Sequence, residues 1–398
     1  MEIIIHRGQN QIGGSIIEVS TNSTRIILDV GSNLEETENV SIPKIDGLFF
    51  GEPAYDAVIT SHYHSDHIGL LDYVLPEIPI YMGRKAFEVL QAANLYTNKK
   101  IKFAHLEYSS DADLTIGDLT ITPYRCDHSA FDSYMFLISD GQKKILYSGD
   151  FRSNGWANFN ELLEKIPQAD ILIIEGTMLS RDTYTNNITE QQLEDIAVKA
   201  LNEYKGPAFL LASSMNVDRI KTAYNIAQRT NRIFLEDLYT AGILSSVGKD
   251  VPAPGTNGVR VFMIGGRDTH EALMKYDECK IGQRAIAKAD FLMCIRPSMI
   301  KTLKKINELR SFENGVIFYS MWKGYQEREY MKDFLEYMRS TGVKIHTLHT
   351  SGHADIETID RLVEKAAPKM IIPVHTENPK WFEKYGIPLL INEKSVCI

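Results

Sequence analysis

Apolar residues in the first part of this chain come in short bursts bounded by glycine or polar turn residues, the pattern of strands rather than long helices. The bursts at 3–5, 15–19 and 25–29 are separated by a glycine-rich stretch and by Thr21-Asn22-Ser23, which predicts an antiparallel meander. Further strands are expected at 57–60, 78–82, 119–122, 133–138, 144–147 and 169–175, with helical spacing at 70–75 and 85–97. From about residue 178 the pattern changes. Helical segments at 189–202 and 217–230 alternate with apolar runs at 208–212, 232–236, 258–264, 291–295 and 315–319, which predicts a parallel sheet with helical crossovers. The last part brings a strand from 343, a polar turn, a helix at 356–366 and a strand at 369–374. The reading is an α/β protein with domain limits at 1–178, 179–335 and 336–398, the middle segment inserted into a domain completed by the last.

At 398 residues and 44% hydrophobic content, two or three domains with sizeable cores are expected. No apolar run approaches the ~20 residues that span a bilayer, and the first residues lack the pattern of a secretory leader. Cys126, Cys279, Cys294 and Cys397 have no paired spacing, so buried thiols in a reducing cytoplasm are expected rather than a disulfide framework. The formal charge of −9 argues against avid nonspecific polyanion binding by the whole surface. Lys99, Lys100 and Lys102 form a small basic run, read first as solvated surface and secondly as a phosphate contact.

The densest chemistry lies in Ser61-His62-Tyr63-His64-Ser65-Asp66-His67, directly after the 57–60 strand. Imidazoles and carboxylates are costly to bury unpaired, so such a cluster at a strand end points to a divalent metal. Alternation would place His62 and His64 on one side, with the turn bringing Asp66 and His67 back toward them. A structural zinc would want a closed set rich in cysteine, and this stretch has none. His128 and Asp150 each follow a strand-like run as well, and Asp29 closes the third strand.

Here the chain resembles the metallo-β-lactamase superfamily, whose signature HxHxDH is matched by His62, His64, Asp66 and His67. The resemblance implies an αββα sandwich, His128 as third histidine on a first metal, Asp150 as a carboxylate bridging two metals, and Asp29 as an organiser behind them. Glu175 after a strand, His353 in a Ser-Gly-His turn and His375 after a Pro-Val step narrow it to the nucleic-acid-processing β-CASP branch, which includes ribonuclease J. That branch carries an inserted α/β domain, here 179–335, shorter than in full-length ribonuclease J.

The resemblance implies two Zn²⁺ ions, with Mn²⁺ as the alternative, held by His62, His64 and His128 and by Asp66, His67 and His375, with Asp150 shared. A hydroxide shared between the ions would be the nucleophile, Asp66 supporting it, and His353 the general acid, oriented by Glu175. His349, Thr350, Ser351 and Gly352 are candidates for a phosphate clamp before the 356–366 helix. Ser213, Ser214 and Ser298 read as helix caps or polyanion contacts, and Trp322 and Tyr325 as interface packing or base-stacking rings. The expected activity is cleavage of single-stranded RNA held between the domains. The alternatives are hydrolysis of DNA or small phosphodiesters and esters, or a weakly catalytic RNA-binding regulator; no membrane partner is expected, and a homodimer is compatible.

Overall fold

The computed structural model describes residues 1–34, 40–97, 99–110, 112–180, 187–263 and 273–398, so the end of the expected 258–264 strand lies outside the described residues. Contacts divide the chain into two compact units. Met1–Gln91, Lys99–Asn187 and Ser351–Ile398 make the first, and Ala92–Asn98 with Ile188–Thr350 make the second.

The first unit holds two sheets. One contains β1 (Glu2–Arg7), β2 (Ile16–Ser20), β3 (Arg25–Leu28), β4 (Ala57–Ile59), β5 (Ile80–Gly83) and β6 (His105–Tyr108), with Ser395–Cys397 added beside β1. β1 to β3 form the antiparallel meander that the alternating turns predict, and β3 to β6 run parallel. The other contains β7 (Leu114–Ile116), β8 (Leu119–Cys126), β9 (Ser133–Ser139), β10 (Lys144–Tyr147) and β11 (Ile171–Ile174), with Met370–Pro373 paired parallel to β11. Strand alternation sends Ile17, Val19, Ile26, Leu28 and Ile59 of the first sheet and Ile121, Phe136, Ile138, Ile145 and Ile173 of the second into one shared core. Each such side chain contributes about 1.5–3 kcal/mol by leaving water.

The opposite face of the second sheet is covered by the helices Phe159–Lys165 and Ile356–Ala366. In the latter, Ile359, Leu362, Val363 and Ala366 fall on one stripe and are buried, while Asp355 caps the first turn through Thr358 N–H (3.0 Å). Ile27 and Val58, on the outer face of the first sheet, are also fully buried. The arrangement is the expected αββα sandwich.

The second unit holds one sheet, all parallel: β12 (Ala208–Leu211), β13 (Ile233–Asp237), β14 (Val259–Phe262), β15 (Lys280–Ile281), β16 (Phe291–Ile295), β17 (Val316–Tyr319) and β18 (Lys344–Thr347). Its order is β15-β14-β13-β16-β12-β17-β18. Parallel strands need crossovers, and the helices Glu190–Ala200, Val217–Arg229, Ile300–Leu309 and Glu329–Ser340 alternate with them. Short strands with few apolar residues, β6, β7 and β15, leave no readable period in the sequence, because they sit near sheet edges where only part of each strand is buried. All four cysteines are free thiols, and no described helix is long and apolar enough to cross a membrane.

Candidate metal centre

The chemistry-bearing residues of the first unit gather at one end of its two sheets. Asp29 follows β3, Ser61 to His67 follow β4, His128 follows β8, Asp150 follows β10, Glu175 follows β11, and His375 follows Met370–Pro373. Carboxyl ends of neighbouring parallel strands open onto a common space, so residues far apart in sequence meet there. β4 stops at Ile59, so His62 and His64 stand on the connecting loop rather than on strand backbone as alternation predicted. Tyr63 is buried and its hydroxyl accepts from Phe131 N–H (2.7 Å), and one short helix, Ser65–Ile68, carries Asp66 and His67. Gly31 lets this loop close, since a Cβ there would lie 1.7 Å from the Asp66 carbonyl oxygen. Gly13, at φ +76°, does more than turn the chain: a Cβ would lie 2.9 Å from the Asp66 carboxylate.

Three overlapping donor groups result: His62 with His64 and His128, Asp66 with His67, Asp150 and His375, and Asp150 with Glu175, His353 and His375. Within each, one ligand atom per residue lies within 4.8 Å of all the others. Asp150 Oδ2 sits among five imidazole nitrogens: His67 Nε2 at 3.2 Å, His353 Nδ1 at 3.6 Å, His62 Nε2 at 3.7 Å, His375 Nε2 at 3.8 Å and His128 Nε2 at 3.9 Å.

The outer ring nitrogens are held from behind. His67 Nδ1 donates to Asp29 Oδ2 (2.8 Å), and His128 Nδ1 donates to the Gly352 carbonyl (2.5 Å). His375 Nδ1 is 2.7 Å from Thr177 Oγ1, which also donates to the His375 carbonyl (3.3 Å). Each bond fixes the ring with Nε2 facing the centre. Asp29 is itself saturated, accepting from Ser61 N–H (2.6 Å), Ser61 Oγ (2.7 Å) and Tyr147 Oη (2.6 Å). Asp29 and His375 both take left-handed backbone, φ 57° and 51°, unusual for residues with a Cβ.

Burial pushes His62 and His128 well below the ordinary histidine pKa and takes His64 down to about 4, so these three rings are neutral at pH 7. Burial also opposes charge on His67, but Asp150 and Asp29 overcome it and hold that ring's pKa high. Burial lowers the His353 pKa and the Glu175 and Asp150 carboxylates raise it, leaving it up at about 9. Asp150, despite its burial, is kept well below the usual carboxylate range by His375, His67 and His353. His62 Nε2, His67 Nε2 and both Asp150 oxygens are buried with no hydrogen-bond partner. Each unsatisfied buried group costs roughly 1–3 kcal/mol. Converging nitrogen and carboxylate lone pairs of this kind fit divalent cations, so the donor set suits the metals that the sequence predicts.

His353 and Glu175 also meet here. His353 Nδ1 donates to Glu175 Oε2 (3.0 Å), whose other oxygen accepts from Phe151 N–H (3.0 Å). His349, Thr350, Ser351 and Gly352, the expected clamp, lie between β18 and the helix Ile356–Ala366, at the passage from the second unit back to the first. In the second unit, Asn216 rather than Ser213 or Ser214 caps the helix Val217–Arg229, through Arg219 N–H (3.1 Å). Trp322 is exposed and Tyr325 lies edge-on to it. Thr177, Tyr147, Ser61 and Asn187 escape sequence reading, because a lone hydroxyl or amide carries no pattern until the fold shows what it holds.

Residues 26–212 match a β-lactamase superfamily domain, and residues 340–386 match a Zn-dependent metallo-hydrolase RNA specificity domain. An RNase J-like protein of Methanocaldococcus jannaschii is 28% identical over 60% of this chain and 58% of its own length. Ribonuclease J 2 of Streptococcus pyogenes is 22% identical over 95% of this chain and 70% of its own, and ribonuclease J of Mycoplasma genitalium 21% over 93% and 67%. These matches support a likeness to the metallo-β-lactamase superfamily, in its ribonuclease J-like β-CASP branch. The chain spans about three fifths to seven tenths of the length of these relatives. A crystal structure of a protein of unknown function from Enterococcus faecalis superposes with a TM-score of 0.83 over 100% of this chain and 99% of that one, at 18% identity, which adds to the evidence for the fold. In sequence, most of the parallel α/β unit runs between segments of the unit that carries the candidate metal donors.

Proposed function

We propose that the protein is a two-metal ribonuclease that hydrolyses phosphodiester bonds of single-stranded RNA. The observation that carries the reading is Asp150 Oδ2 among five imidazole nitrogens, with both its oxygens buried and unpartnered. His62, His64 and His128 would hold one ion, Asp66, His67 and His375 the other, and Asp150 both. Two bound divalent cations, zinc or manganese, would lower the pKa of water and stabilise charge on the phosphoryl oxygens.

The chain's own residues supply the rest. Asp29 and Thr177 fix the His67 and His375 rings, which keeps their Nε2 atoms in place. His353 has 21% of its side chain exposed, against 2% or less for His62, His67, His128, His375 and Asp150. It is therefore the ring of this group that a substrate can touch. Glu175 takes its Nδ1–H, directing Nε2 outward as the donor to the departing ribose oxygen. RNA is favoured as substrate by the match of residues 340–386 to an RNA specificity domain and by the ribonuclease J relatives.

The test joins elemental metal analysis to cleavage of 5′- and 3′-labelled single-stranded RNA by wild type, Asp66→Ala and His353→Ala. About two metals per chain, with cleavage lost in both variants, is the expected result. A metal-replete wild type that leaves RNA intact but cuts DNA or small esters would overturn the substrate.

A further inference from the structure

The turn that carries His353 is gripped at three successive backbone carbonyls. The Ser351 carbonyl accepts from Asn154 Nδ2 (3.1 Å) and Arg152 Nη1 (3.5 Å), the Gly352 carbonyl from His128 Nδ1 (2.5 Å), and the His353 carbonyl from Asn187 Nδ2 (2.9 Å). These grips share supports. Arg152, with no exposed surface, is bound by its Nε to Asp127 (2.9 Å), the residue before His128, and lies two positions after Asp150. Asn187 also reaches Asn154 (3.4 Å), and its backbone N–H donates to the Asp355 carboxylate (2.9 Å), which caps the helix Ile356–Ala366.

We infer that Asn187 and Asn154, backed by Arg152, are positioning residues that set the His353 imidazole against the reacting phosphodiester. A chain segment with three consecutive carbonyls fixed by separate donors has little freedom to shift or rotate. Its side chain then points where the Glu175 bond aims it. Asn187 stands at the last position before the chain passes into the second unit, and Ser351 at the first after its return. Both crossings are thereby tied to the general acid's own turn. Sub-ångström placement matters for proton transfer, and a displacement of about 1 Å can cost ~10²-fold in rate.

The inference rests on the proposed hydrolase reading, and the experiment separates the two. Metal-replete Asn187→Ala, Asn154→Ala, His353→Ala and the Asn187→Ala/His353→Ala double variant are compared on single-stranded RNA and on the p-nitrophenyl ester of a nucleoside 5′-phosphate. Nitrophenolate leaves without a proton. Asn187→Ala and Asn154→Ala are expected to lower kcat on RNA by roughly 10–100-fold, with KM and metal content within about two-fold of wild type. The loss should vanish on the nitrophenyl ester, and Asn187→Ala should cost nothing further once His353 is alanine. Equal losses on both substrates, additive losses in the double variant, or a change confined to KM or metal content would overturn the inference. If wild type cuts no RNA, the hydrolase reading falls instead. Positioning is then read by NMR from the Glu175-bonded His353 Nδ1–H, expected sharp in wild type and broadened in Asn187→Ala. An unchanged signal would overturn it.

Discussion

Asp150 in the first unit and Glu236 in the second are both carboxyl groups with neither oxygen hydrogen-bonded, and both are out of solvent, at 2% and 0% exposure. Their neighbours make them opposites. Imidazoles surround Asp150 and keep it charged at any ordinary pH. Glu236 faces Val261 across the parallel register, beside the small apolar cluster of Leu238, Ala241, Val261, Leu273 and Cys279, and desolvation with the nearby Asp237 pushes its pKa well above the usual carboxylate range. A third pattern is Glu190 with Arg219 in the second unit. Arg219 Nε and Nη2 bind the carboxylate at 3.0 and 2.9 Å, and Thr222 Oγ1 adds a bond of 2.6 Å. Burial of charge thus does not by itself mark a working site. Convergent donors left unsatisfied by the protein do, whereas a saturated pair is structural and a lone acid among apolar groups is simply neutral.

Removing the central charge should have the largest effect. Asp150→Asn is expected to lower RNA cleavage by roughly 10³-fold or more and to reduce bound metal below wild type, read by elemental analysis. A variant that keeps full metal and rate would end the contrast between the units. His353→Ala should lower kcat by about 10²–10⁴-fold while metal content holds, measured with labelled RNA under saturating substrate. Breaking the saturated pair acts on stability instead. Arg219→Met strands Glu190 and should cost about 3–5 kcal/mol in denaturant unfolding, with metal content unchanged.

The smallest effect sharpens the comparison through pH. Because the Glu236 pKa is raised on folding, the folded chain holds one more proton than the unfolded one above pH ~4.5. The stability tied to that proton is fully present below ~4.5 and declines as pH rises toward the folded value. Glu236→Gln should therefore flatten the slope, stabilising the variant relative to wild type at pH 8 and not at pH 4. Thermal melts across that range would read it, and a parallel slope in both proteins would show Glu236 to be charged.

Much of the site could be read from the chain because metal chemistry needs particular residue types in particular order. His62 and His64 lie on one short loop and Asp66 and His67 on the helical turn that follows it, and His128, Asp150, Glu175, His353 and His375 each stand after a strand or in a polar turn. Resemblance supplied their joint meaning. The residues behind them were invisible for the opposite reason. Thr177 and Asn187 use a single hydroxyl or amide, and their partners are 198 and 166 positions away.

The α/β alternation, the meander, the second unit's parallel sheet and the inventory of candidate metal donors were legible in the sequence, since side-chain period and donor chemistry are local properties. Which donors converge is a property of the tertiary structure, because that depends on strands from distant parts of the chain ending side by side. Adjacency along the chain fixes distance over one or two residues; beyond that, packing decides what meets.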